Sequence, residues 1–231
     1  IIEFASDHGL RVPLITNGHG LTENFVKKNP KIMKLDSIRI SLYGIDEESY
    51  EFITTVKKSY KMVKRNCINF LIKRNETNSK VKFGINYIIL KENYKNLPKL
   101  INFIEEVNNE VNNGPGIDFL SLRDDFDTVT GISDIRDHGK KYHLDGLLTE
   151  QDRKELIKLF KNFENDKRLQ NLHIDYGYAL HPISLGILGK KLTKITDDEM
   201  RKYGHTQLSV CVDLYGDVFL YREAGFLNRN G

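Results

Sequence analysis

Ser37-Ile38-Arg39-Ile40-Ser41-Leu42 is the stretch that decides how the chain is read. Its aliphatic residues alternate with Arg39 and Ser41, so an extended backbone sends Ile38, Ile40 and Leu42 to one face and the polar pair to the other. Immediately after it, Asp46 can cap a helix whose first turn carries Glu47 and Glu48, residues that suit the positive end of a helix dipole. A strand followed by a capped helix is the building unit of an α/β fold.

Working outward, three more segments read as strands, at residues 12–16, 81–90 and 117–122, each β-branched or aliphatic and each separated from the next by helix-length sequence. In one intervening helix Tyr60, Val63, Cys67, Phe70 and Leu71 form an apolar stripe, with Lys57, Lys58, Lys61, Lys64 and Arg65 mostly off it as a solvated face. In another, Asn96 is placed to cap, Pro98 falls in the first turn, and Leu97, Leu100, Ile101, Ile104 and Val107 repeat at core-facing intervals. Residues 1–122 are therefore expected to be an α/β domain with a mainly parallel sheet, the four strands lying side by side in chain order. Ile1, Ile2, Phe4 and Ala5 have helical spacing and Gly9 supplies a stop, but no cap precedes them, which predicts that further chain comes before Ile1.

Beyond residue 122 the alternation stops, and residues 123–231 are expected to form an α+β extension. The stretch 123–146 is polar, carries Asp124, Asp125, Asp127, Asp134 and Asp137, and is longer than an ordinary connection, which marks it as functional or mobile. It lacks the Gly and distal Glu of a calcium loop, and His138 and His143 have no clear third ligand for zinc. A helix resumes at Thr149, with Asp152 completing its cap and Leu156, Leu159, Phe160 and Phe163 as its buried face. Residues 172–178 read as a strand and 208–221 as a hairpin turning at Gly216-Asp217.

Composition limits the classes of function. The 231 residues are 39% hydrophobic and 29% charged, with a formal net charge of +3, and contain no bilayer-length apolar run and no signal-peptide pattern. Neither a membrane partner nor a nucleic-acid partner is expected. Two distant cysteines, Cys67 and Cys211, make neither a disulfide framework nor an all-protein metal site, so no metal ligands are assigned and a cytoplasmic setting is expected.

The order of short motifs resembles the radical S-adenosylmethionine (radical SAM) family. They run from Gly9 through Ile15-Thr16-Asn17-Gly18, Ile38-Arg39-Ile40-Ser41-Leu42-Tyr43-Gly44 and Asp46-Glu47-Glu48-Ser49-Tyr50 to Lys57-Lys58-Ser59-Tyr60. Phe83-Gly84-Ile85-Asn86-Tyr87 and Glu92-Asn93-Tyr94 extend the likeness over about half of the chain. Tyr43 stands where the family commonly has Asp, and Lys58-Ser59-Tyr60 where it has a Gly-Ser-Phe-like entry. The resemblance implies a partial six-unit (β/α) barrel of the TIM type, of which the chain would hold the third to sixth strands. It also implies an intact parent that cleaves S-adenosylmethionine reductively and abstracts hydrogen from a small-molecule or peptide substrate. Its cofactors would be S-adenosylmethionine and a [4Fe–4S] cluster, and a one-electron reductant would be a partner. The family's Cys-x-x-x-Cys-x-x-Cys and Gly-Gly-Glu motifs are not in these residues, so this chain alone is expected to be inactive. Around Cys211 the hairpin resembles the strand pair that opens the family's auxiliary-cluster region (SPASM or twitch), but Leu220-Tyr221 stand where Pro-Cys would close it.

The resemblance makes Thr16, Asn17, Gly18, Ser41, Asn86 and Arg123 the candidate cofactor-binding residues, expected to converge at the carboxyl ends of the strands. Each has a plainer reading: Ser41 as a small polar residue at a strand end, Asn17 as a turn former, Arg123 as an ion-pair partner of Asp124 or Asp125. No catalytic residue is assigned. Two other functions fit the same elements, a non-catalytic binding module and an aldolase-like barrel using a Lys Schiff base, though Lys82 lies at the start of its strand and not at the catalytic end.

Overall fold

The computed structural model describes residues 2–124, 149–176, 211–212 and 218–219. The chain divides into two units, Ile1–Lys190 and Lys191–Gly231. In the first, five strands form one sheet in the order β1 (Pro13–Thr16), β2 (Ser37–Leu42), β3 (Lys82–Ile89), β4 (Phe119–Asp124) and β5 (His173–Tyr176), every pair parallel. The four strands expected from the first half thus lie in chain order. The segment expected as a strand at 172–178 joins them as the fifth.

Alternation decides which side is core. Ile38, Ile40, Leu42, Phe83, Ile85, Tyr87, Ile89, Leu120 and Leu122 are sealed from solvent on one face. They share a single apolar cluster with residues of α2 (Glu23–Lys28), α3 (Glu47–Thr54), α4 (Ser59–Glu76), α5 (Leu97–Glu110) and α6 (Glu150–Glu164). Burying each large side chain there contributes about 1.5–3 kcal/mol against chain entropy. The stripes expected from sequence are the faces that pack: Val63, Cys67, Phe70 and Leu71 on α4, Leu100, Ile104 and Val107 on α5, and Leu156, Phe160 and Phe163 on α6.

Local signals fix the ends of these helices. Asp46 and Ser49 cap α3 reciprocally, the Ser49 amide donating to Asp46 Oδ1 at 2.8 Å and the Asp46 amide to Ser49 Oγ at 3.3 Å. Thr149 and Asp152 do the same for α6. Asn96 does not cap α5, contrary to expectation. A 3-10 turn over Tyr94–Asn96 runs straight into that helix, so the Asn96 backbone is no longer extended and its side chain makes no capping bond. The first helix, α1 (Ile2–Asp7), ends before Gly9 at φ +71° as expected, but it contains no buried residue, and Phe4 is 66% exposed.

At the strand starts, Arg74 at the end of α4 is buried and donates from Nη1 to Asp118 Oδ2 at 2.6 Å and from Nη2 to the carbonyls of Pro115 and Gly116. Asp118 also accepts from the Phe83 amide at 2.8 Å, so one ion pair ties α4 to the entries of β3 and β4. Lys82, first residue of β3, lies 3.3 Å from the same carboxylate, at the end of the sheet opposite to that of a Schiff-base site.

In the second unit β6 (Cys211–Val212) and β7 (Val218–Phe219) pair antiparallel, with Cys211 opposite Phe219. The turn at Gly216-Asp217, the acidic stretch from Asp125 on, and His138 and His143 lie outside the described residues. Among the described residues no helix is long and apolar enough to cross a membrane.

Candidate functional site

The face of the sheet turned away from the helices carries polar side chains in rows that the parallel register sets. Ser41 pairs with Asn86, Asn86 with Ser121 and Ser121 with Asp175, one polar row across four strands. Two residues toward the amino end of each strand, the next row on that face is Ile15, Arg39, Gly84, Phe119 and His173. Toward the carboxyl end, Arg123 sits opposite Ile88.

Three of these residues are joined. Asp175 Oδ2 accepts from Ser121 Oγ at 2.9 Å and from Arg123 Nη2 at 2.8 Å, and the same Nη2 donates to Ser121 Oγ at 3.1 Å. Ser121 is fully buried, whereas the Asp175 side chain keeps 39% of its surface exposed. One carboxylate oxygen is therefore held while the residue still faces outward. Sequence alternation within Ser121-Leu122-Arg123 and Ile174-Asp175-Tyr176 carries the parity of this cluster, but not the pairing of β4 with β5.

Below the polar row, Gly84 makes room for an aromatic ring. A Cβ at that position would lie 2.2 Å from the Phe119 ring, so Phe119 rests directly over the glycine backbone. The Arg39 guanidinium stands 5.3 Å from the Phe119 ring centre, and its Nε is buried without a hydrogen-bond partner. Arg39, Phe119, His173 and Asp175 line a groove of about 830 Å³ at the strand starts, beside Arg11 and Lys82, that also reaches Ile104 and Asn108 of α5. Its size suits a small-molecule ligand.

At the carboxyl rim the expected residues divide by role. Ser41 and Asn86 stand in the polar row and Arg123 one step beyond it. Thr16 pairs with Ile40 and so belongs to the helix side, where its Oγ1 accepts from the Gly18 amide at 3.2 Å. Asn17 is exposed just past β1, and its Oδ1 accepts from the His19 amide at 3.1 Å. Gly18 adopts φ +80°, and Asn66 of α4 donates to its carbonyl at 2.9 Å. Thr16 and Gly18 therefore shape the loop, with Asn17 on its outer edge.

A neighbouring rim loop is held from within. Buried Asn93 donates to the carbonyls of Ile88 at 2.8 Å and Tyr43 at 3.3 Å, and accepts from the Leu90 amide at 2.7 Å, tying the ends of β2 and β3 together. Cys67 is sealed in the core, where burial pushes its thiol up to about 12 and leaves it unreactive. Among the described residues no group of three or more His, Cys, Asp or Glu is placed to hold a metal ion.

Among the described residues, fold and site define an α/β protein whose helices pack on one face of the sheet, with a polar row on the other and a groove at the strand starts. Across 229 residues, 98% of its length, the chain is 38% identical to dTDP-4-amino-4,6-dideoxy-D-glucose ammonia-lyase of Streptomyces venezuelae. It spans 44% of that protein's length. No protein-family model matches it.

The name of this relative gives a reaction and a substrate, and no cofactor class. It names no S-adenosylmethionine cleavage, no hydrogen abstraction, no S-adenosylmethionine or [4Fe–4S] cofactor and no iron–sulfur or metal binding, so those expectations are not carried forward from it. The relative is named for the release of ammonia from a dTDP-linked amino sugar. The motif fragments that carried the resemblance have local work in this structure: Gly18 turns a loop, Asp46 and Ser49 cap a helix, and Asn93 ties two strand ends. Short fragments with such duties are weak markers of chemistry.

Proposed function

We propose that the chain is the sheet portion of a sugar-nucleotide lyase that releases ammonia from a dTDP-linked amino sugar, and that the substrate lies on the sheet face away from the helices. The observation that carries this reading is the polar row Ser41, Asn86, Ser121 and Asp175 above the Arg39–Phe119 groove. A sugar nucleotide presents hydroxyls, a diphosphate and an aromatic base. Ser41, Asn86 and Ser121 match the hydroxyls, Arg39 and Arg123 offer charge to the diphosphate, and the Phe119 face suits a ring. Asn17, on the outer edge of its loop, is the rim residue nearest to solvent in this reading, with Thr16 and Gly18 setting its position.

The sheet is taken as part of a (β/α) barrel. Strands in unbroken chain order with helices on one face are the barrel's arrangement, whereas doubly wound sheets reverse their order and are covered on both faces. A small-molecule substrate and a cytoplasmic setting go with the same reading.

The test is ammonia release. The longer protein that contains this chain, supplied with dTDP-4-amino-4,6-dideoxy-D-glucose, is expected to liberate ammonia, and Arg123→Ala to reduce the rate at least tenfold. Undiminished release by that variant, or no release by the unaltered protein, removes the reading.

A further inference from the structure

We propose that Asp175 distinguishes an amino sugar from its hydroxyl counterpart: its Oδ1 takes the substrate's ammonium while Ser121 and Arg123 hold Oδ2. This deepens the proposed function and rests on it. Among the described residues Oδ1 accepts no hydrogen bond, whereas Oδ2 accepts two. The side chain lines the groove and is partly exposed, so Oδ1, which has no partner among the described residues, is open to a ligand on that face.

The other carboxylates along the groove are placed differently. Asp118 is taken up by Arg74, Lys82 and the Phe83 amide. Asp36 is exposed at the strand starts, where it accepts from the Val12 amide at 2.5 Å. Asp175 alone among the three belongs to the polar row with Ser41, Asn86 and Ser121.

An ammonium group donates three hydrogen bonds and accepts none, so a fixed anionic oxygen binds it far better than it binds a hydroxyl. Pinning matters as much as charge. With Oδ2 held by two donors, the carboxylate cannot rotate away from the ligand, and little freedom is lost on binding. Asn at this position can still accept from Ser121 and Arg123 through its amide oxygen, but it offers the ammonium no charge.

The experiment is a pair of equilibrium titrations on the full protein containing this chain. The ligands are dTDP-4-amino-4,6-dideoxy-D-glucose and the analogue in which a hydroxyl replaces the amine. The unaltered protein is expected to prefer the amine by about tenfold or more, the worth of one charge-assisted hydrogen bond. Asp175→Asn should abolish that preference and leave hydroxyl-analogue affinity within about threefold, which also reports intact folding. Asp175→Glu should retain part of it. A preference unchanged in Asp175→Asn, or an equal loss for both ligands, overturns the assignment while leaving the proposed function standing. Failure of the unaltered protein to bind either ligand overturns both.

Discussion

Asn93 and Tyr43, fifty residues apart, meet where two strands end: the Asn93 side-chain amide donates to the Tyr43 carbonyl at 3.3 Å and to the Ile88 carbonyl at 2.8 Å. Because the side chain is buried, each bond replaces one that water can no longer supply. Asn93→Ala should therefore cost about 1–3 kcal/mol, measured by urea unfolding, and should speed hydrogen exchange at the Leu90 amide, whose acceptor is Asn93 Oδ1. Exchange at Leu90 unchanged in a destabilised variant contradicts this account of the rim.

Arg74→Ala is expected to be the more damaging change. It removes a buried guanidinium from Asp118, leaves the Gly116 carbonyl without its side-chain donor and leaves the Pro115 carbonyl with Asn75 alone, at a cost on the order of 3 kcal/mol. Arg74→Lys should recover little, since an ammonium cannot bridge a carboxylate and two carbonyls in one plane. Near-equal unfolding midpoints for the unaltered protein and Arg74→Lys contradict the planar clamp.

Ser41 and Asp175 mark what could be read from the sequence and what could not. Parity within residues 37–42 put Ser41 on the face opposite Ile38, Ile40 and Leu42, and the structure agrees, because alternation is a property of one strand. The Asp175 cluster needed the pairing of β4 with β5 across some fifty residues, which no local pattern encodes. Asn96 was expected to cap because Asn favours such sites, but the 3-10 turn before it set its backbone instead. Arg123 was expected either in a ligand site or paired with Asp124 or Asp125. Among the described residues it pairs with Asp175, while the Asp124 side chain and Asp125 lie outside them. Asn17, expected as a ligand or a turn residue, forms a side-chain turn, and it is Gly18 that takes the left-handed backbone.

Acid should loosen α3 before the core. Burial raises the Asp46 carboxyl, but hydrogen bonds from the Ser49 hydroxyl and amide and from Lys99 outweigh it and hold the group below its ordinary value. A carboxyl lowered by folding stabilises at pH above its unfolded value, and that contribution fades as pH falls through the folded one. Asp46→Ala should cost about 1 kcal/mol at pH 7 and markedly less near pH 3. A cost independent of pH, read from unfolding curves at both, contradicts the charged cap.

Cys67 offers a check on the packing of α4. With Cys211 replaced by Ser, the remaining thiol should fail to react with a thiol reagent at pH 8 in the native protein and react at once in denaturant. Rapid native-state labelling contradicts the sealed core.

The sheet face is tested most directly by titrating dTDP-4-amino-4,6-dideoxy-D-glucose into the protein and into two variants, Arg123→Ala on that face and Lys73→Ala in the groove between α2 and α4. The account predicts that Arg123→Ala weakens binding by about tenfold or more and that Lys73→Ala leaves it unchanged. Binding lost in Lys73→Ala and kept in Arg123→Ala would contradict it, placing the ligand on the helix side of the molecule.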